Sequence, residues 1–280
     1  MWHNLGQLLR YRGLIQSLVA RELKARYRGS VLGLFWSFIN PLMLLSVYSF
    51  VFIYVLPRDI AKPEPGKPFV DLEPYALFMF CGILPWTWFA TSLNEATGSL
   101  ISGGNLIKKV LFPAEILPIV SVLANMIHFM LGLPILAAFL VYARRWPDPT
   151  DLLWFPGVVL IQALFTSGLG LLLSALTVHY RDIRDILSNV LTFWFFATPI
   201  IYFYKAENVQ KLKWLFNINP FFHLSVSYQE ILFFQPENPG DTFVHGHLMW
   251  LLVMGAASCL LFLLGYWLFD RLRDSFAEVV

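Results

Sequence analysis

Six runs of mostly apolar residues, roughly 31–56, 75–93, 116–143, 152–178, 183–203 and 247–269, dominate this 280-residue chain. A bilayer core takes about 20 such residues as a helix. Lipid offers the backbone no hydrogen-bond partners, so each run must satisfy its own N–H and C=O groups as a helix. The alternating segments of about ten residues that build a membrane β-barrel are absent. Composition agrees, with 58% of residues apolar or aromatic and 14% charged, against about 25% charged in soluble domains. A soluble enzyme, a disordered tail and a nucleic-acid module are excluded. The expected fold is an all-α membrane protein with six transmembrane helices.

Orientation follows from Lys and Arg. With six spans and the N-terminus inside, 12 basic residues fall on the cytoplasmic side and 8 on the other. Six of the 12, Arg10, Arg12, Arg21, Lys24, Arg26 and Arg28, precede the first span, which usually dominates orientation. Both termini are expected in the cytoplasm. The opening residues lack a signal-peptide core, so the first span is expected to insert itself.

Residues 214–234 tempt a seventh span. Asn217, Asn219, Pro220, His223, Gln229 and Glu230 load it with more polarity than a lipid-facing helix carries. A re-entrant helical hairpin before the last span, covering about 205–240, fits better, because protein can cover its backbone.

Residues 1–30 read as a cytoplasmic interfacial amphipathic helix ahead of a 31–280 transmembrane domain. Leu5, Leu8, Tyr11, Ile15, Leu18 and Val19 share one face, with Arg10, Arg21, Lys24 and Arg28 opposite. Arg12 and Arg26 land on the apolar side. The helix serves either as an anchor on anionic lipid or as a basic rim for a phosphate-bearing substrate.

Between spans two and three, Gly103-Gly104 breaks the chain and Asn105 can cap a short helix that Pro113 interrupts. Leu106, Ile107, Val110 and Leu111 beside Lys108 and Lys109 suit docking on another protein or lying on the membrane. In the next cytoplasmic loop Arg181 and Asp185 stand at i,i+4, a spacing that allows a pair.

The phosphate-binding pattern Gly-x4-Gly-Lys-[Ser/Thr] does not occur; Gly66-Lys67 is followed by Pro68. The chain therefore carries no ATPase of its own. Metalloprotease, nucleophile-elbow and paired-Cys signatures are missing too. The spans hold almost no ionisable residues, which disfavours coupling to a proton or sodium gradient. His128, mid-span near Asn125, suits an interhelical hydrogen bond. Aromatic side chains remain as a working surface. Trp86 and Phe89 lie in span two, Phe193, Trp194 and Phe196 in span five, and Tyr202 at that span's outer end. Such rings can stack on sugar faces, or serve as helix packing and an interfacial belt.

Residues Arg21 to Trp36 (RELKARYRGSVLGLFW), followed by Asn40-Pro41, resemble the opening motif of polysaccharide-exporting ABC permeases. Gly82 to Trp86 (GILPW), Asn105 to Pro113 (NLIKKVLFP) with Glu115, Arg181-Asp182, Thr198-Pro199 and Asn219-Pro220 resemble the same family, in the family's order and over almost the whole chain. The resemblance implies a non-catalytic permease subunit in a homodimer, with two copies of a separate ABC ATPase that binds ATP and Mg. It implies export of a lipid-linked glycan (O-antigen, capsule or teichoic acid) across a bacterial plasma membrane. It also implies that the 105–112 helix, with Leu106, Ile107, Lys108, Lys109 and Val110, couples to the ATPase beside Arg181 and Asp182. Arg21, Lys24, Arg26 and Arg28 would then meet a lipid-pyrophosphate head group, Trp86, Phe89, Phe193, Trp194, Phe196 and Tyr202 would line the path, and 205–240 would gate it. A drug or lipid cargo, or a membrane enzyme acting on lipid-linked sugars, are the alternatives.

Overall fold

The computed structural model describes residues 10–51, 55, 72–109, 112–202, 213–233 and 243–279. Every regular element among them is helical: α1 (Arg12–Arg26), a 3-10 turn (Gly33–Phe35), α2 (Trp36–Phe50), α3 (Leu72–Ser102), α4 (Gly104–Lys109), α5 (Ile116–Tyr142), α6 (Pro149–Leu152), α7 (Phe155–His179), α8 (Ile183–Phe196), α9 (Lys213–Ile218), α10 (Pro220–Leu232) and α11 (Phe243–Val279). Four stretches are long and apolar enough to cross a bilayer: Tyr75–Ser102, Ile116–Tyr142, Pro149–His179 and Met249–Arg273.

The other two expected spans show less helix among the described residues. Over the described residues α2 covers 15 residues and α8 covers 14, below the roughly 20 that a hydrocarbon core takes. The expected first span begins at 31, yet helix starts only at Trp36. Before it the chain turns through left-handed Gly29 (φ +79°) and Gly33 (φ +51°), a conformation that side chains with a Cβ strain to adopt. Ser30 fixes that turn, its Oγ accepting from Gly33 N at 3.2 Å and from Trp36 Nε1 at 3.1 Å. The expected fifth span ends early, ahead of Pro199, which brings no N–H donor and disfavours helical backbone at Thr198; Ala197 and Thr198 close α8 with bonds to Phe193 O and Phe195 O.

The second span runs longer than its apolar stretch. Asn94, Glu95, Thr97 and Ser99 make the stretch after Leu93 more polar, but Thr97 and Ser99 are buried and donate to the carbonyls of Leu93 (2.6 Å) and Ala96 (2.7 Å). Their hydroxyls thus need no solvent, and the helix continues to Ser102.

Helices α3, α5 and α7 form the centre, with α11 packed along α7. Trp88 ties α3 to α5 through a 3.1 Å bond to Val122 O, and fully buried Gln162 ties α7 to α3 through a 2.9 Å bond to Pro85 O. At the crossing of α7 and α11, a Cβ on Gly168 would come within 2.8 Å of the Phe262 backbone. Glycine there lets the two backbones touch.

Helix α10 is too short to cross a membrane, about 20 Å for 13 residues. Every residue from Phe221 to Gln229 is buried, against α3, α7 and α11. Much of the expected 205–240 hairpin, namely 205–212 and 234–240, lies outside the described residues, as do residues 1–9 and Val110.

Candidate translocation surface

The structure splits the six aromatic candidates into two groups. Trp86 and Phe89 are buried in α3 and pack against Phe221 of α10, with ring centroids 5.0 Å and 4.6 Å apart. Half-buried Trp194 of α8 joins them, 6.3 Å from Trp86 and 5.3 Å from Phe89. Phe193 and Phe196 face outward instead, 77% and 60% exposed. Tyr202 stands just beyond α8 and donates to Phe196 O at 3.2 Å.

Asn219 fixes the relation of α8 to α10. Its Oδ1 accepts from Trp194 Nε1 at 2.6 Å and from Phe221 N at 3.0 Å, while its Nδ2 donates to Ala197 O and Thr198 Oγ1, each at 3.0 Å. The two motifs Thr198-Pro199 and Asn219-Pro220 therefore meet in space. Gln229 reinforces the junction by donating to Pro199 O at 2.8 Å.

The outward side of α8 is unusual for a membrane helix. Asp185, Asn189, Thr192 and Phe196 follow one another at helical spacing and are all exposed, with Ser188 and Phe193 flanking them. Among the described residues Asn189 and Thr192 reach only the carbonyls of Asp185 (3.0 Å) and Ser188 (3.1 Å) in their own helix. Acyl chains are a poor solvent for an amide and a carboxylate, so this face suits water or protein.

At the opposite end of the bundle from α10, α4 sits against a second core. Ile107 packs with Leu100, Ala114, Phe269 and Phe276, and Leu106 is partly buried beside exposed Lys108. The side chain of Lys109 lies outside the described residues. Arg181 and Asp182 are exposed at the same end, where α7 leads into α8. Among the described residues no ion pair joins Arg181 to Asp185. Instead buried Glu115 approaches Arg273 of α11 at 4.0 Å, and His179 Nε2 meets Ser275 Oγ at 3.1 Å.

The basic candidates on α1 and just after it also divide. Arg21, Lys24 and Arg28 are exposed. Arg26 is engaged inside the chain: Nη2 lies 2.8 Å from both oxygens of Glu95, and Nη1 donates to Asn125 Oδ1 at 3.0 Å. Sequence pattern misses Glu95 because hydropathy ends the second span near residue 93. The one usable signal was Arg26 itself, a charge on the apolar side of its helix. Cys81 is buried and Cys259 exposed.

A bundle of apolar helices with buried polar ties and one polar outward face defines an integral membrane protein. The chain belongs to the ABC-2 type transporter family, whose sequence model matches residues 13–233. It is 38% identical to the O-antigen export system permease protein RfbA of Myxococcus xanthus over 277 residues, 98% of each chain. A protein of the same name from Klebsiella pneumoniae is 30% identical over 284 residues, 100% of this chain and 98% of the relative. The capsule polysaccharide export inner-membrane protein CtrC of Neisseria meningitidis is 22% identical over 223 residues, 78% of each.

Proposed function

We propose that this chain is the permease subunit of an ATP-driven exporter that moves a lipid-linked polysaccharide across a bacterial inner membrane. It works as a homodimer, with two copies of a separate ABC ATPase docked at the α4 end. The observation that carries the reading is the exposed polar and aromatic stripe of α8. Two copies facing each other across α2 and α8 would give Asn189, Thr192, Phe193 and Phe196 a water-filled path, with flat rings for sugars to slide over.

Both termini and α4 face the cytoplasm in this reading. Closure of the ATPase dimer pushes Leu106 and Ile107 against the core of Leu100, Phe269 and Phe276. That core joins the ends of α3, α7 and α11, so the push reaches the spans that hold Trp86 and Trp194. Exposed Arg21, Lys24 and Arg28 draw in the anionic pyrophosphate head group, and the glycan follows along α8. Helices α9 and α10, buttressed by Asn219, close the outer end.

Co-purification with the exporter's ATPase, read as ATP hydrolysis in lipid, tests the proposal. Stable association and turnover altered by a lipid-pyrophosphate glycan are expected. Association with no response to the glycan would move the cargo to a drug or lipid. No association would remove the exporter reading.

A further inference from the structure

The polar ties of the bundle converge where α1 ends. Arg26 and Glu95 form a two-pronged ion pair, and Asn125 closes the ring by accepting from Arg26 and donating to Glu95 Oε2 at 2.6 Å. The Asn125 amide also donates to Ser121 O at 2.9 Å. The adjoining residue adds a second pin: Tyr27 OH lies 2.7 Å from Ser37 Oγ, and Ser37 Oγ lies 3.0 Å from His128 Nδ1. The last residue of α1 and the one that follows it thus grip α2, α3 and α5. Upstream, Leu18 and Val19 are buried against Ile116, Val120 and Ala124 of α5. Downstream, the chain swings through left-handed Gly29 and Gly33.

We propose that Arg26, Glu95 and Asn125 form a latch that seats α1 on the bundle, so that α1 moves with α3 and α5. Arg26 is then a positioning residue and not a ligand for a head group. A phosphate could take Arg26 only by leaving the Glu95 carboxylate and the Asn125 amide without their partner inside the bundle, which is unfavourable for a partly buried charge. Among the described residues Arg21, Lys24 and Arg28 carry no ion pair, so they are free to attract anions where Arg26 is not. The planar guanidinium suits the role, because its two edges serve a carboxylate and an amide at once. This inference goes beyond the exporter reading and holds for any cargo.

The test uses the full chain in lipid nanodiscs, with Cys81 and Cys259 replaced by Ala and Val19→Cys as reporter. An impermeant maleimide reads how often α1 lifts off α5. Arg26→Glu and Glu95→Arg are each expected to speed labelling by about tenfold or more. The swapped variant Arg26→Glu/Glu95→Arg is expected to return it to the parent rate. In the complex with the ATPase, polyprenyl pyrophosphate is titrated against ATP hydrolysis. Loss of the latch is expected to lower maximal turnover in the single variants and leave the half-stimulating concentration unmoved, and the swap is expected to restore turnover.

Unchanged labelling in both single variants overturns the latch. So does a swap that regains protection while the half-stimulating concentration stays raised, since that makes Arg26 a head-group ligand. If the charge reversals do not fold, Arg26→Gln, Glu95→Gln and their double variant decide. A shared latch makes the double no worse than the more severe single, and additive labelling effects overturn it.

Discussion

Asn219 carries the indole of Trp194 on its side-chain oxygen, at 2.6 Å. The same oxygen caps α10 through Phe221 N, and the amide nitrogen closes the end of α8 through Ala197 and Thr198. One side chain therefore sets where α8 stops, where α10 starts and how the rings between them face. Asparagine suits the position because it offers an acceptor and two donors on one plane.

Asn219→Ala should remove all four bonds at once. Losing the cap costs about 1 kcal/mol, and leaving the indole N–H and the Ala197 carbonyl without this partner costs about 1–3 kcal/mol more. The thermal midpoint of the detergent-solubilised protein, followed by tryptophan fluorescence, should fall clearly. Asn219→Asp keeps the acceptor and loses both donors, so its midpoint should lie between. An alanine variant that melts with the parent would show that the packing of Phe221 alone holds the junction.

Two aromatic residues of one expected lining should part company on mutation. Trp86 is buried against Phe89, Trp194, Phe195 and Phe221, so Trp86→Ala should destabilise by about 3–5 kcal/mol, the usual range for emptying a large aromatic site. Phe193 is mostly exposed, so Phe193→Ala should change stability by about 0.5 kcal/mol or less. Export and assembly measured side by side check this. Trp86→Ala should lose assembled protein, while Phe193→Ala should assemble fully and export more slowly. A Phe193 variant that exports at the parent rate would take α8's outward face out of the path.

The long helices were legible because length and hydropathy suffice for them. What sequence could not show follows from contacts between distant residues. Hydropathy ends the second span near residue 93, ahead of Thr97 and Ser99, but those side chains are buried and bond their own backbone. Glu95 thereby falls inside a helix, where a charge needs a partner, and the partner is 69 residues away in Arg26. In sequence Arg26 differs from Arg21, Lys24 and Arg28 by falling on the apolar side of its helix, and the pairing with Glu95 gives that difference its meaning. Trp86 and Phe193 look alike as aromatic residues in apolar runs. The fold of α10 onto α3 buries the first, while the second stays on the open side of α8.

The crossing of α7 and α11 makes the sharpest demand on residue size. A Cβ on Gly265 would overlap the carbonyl of Gly168, and one on Gly168 would meet the Phe262 backbone at 2.8 Å. Backbone atoms cannot swing aside as a side chain can, so a single methyl must push the helices apart along their whole contact. Overpacking of this kind costs about 1–3 kcal/mol and sometimes more. Gly168→Ala and Gly265→Ala should each lower the yield of folded, monodisperse protein in size-exclusion chromatography. Gly98→Ala is the control, because its Cβ would meet only the flexible guanidinium of Arg184, at 3.9 Å. That variant should elute like the parent. If Gly265→Ala also elutes and melts like the parent, the helices can separate without penalty, and the close approach at Gly168 is not what holds α11 to the bundle.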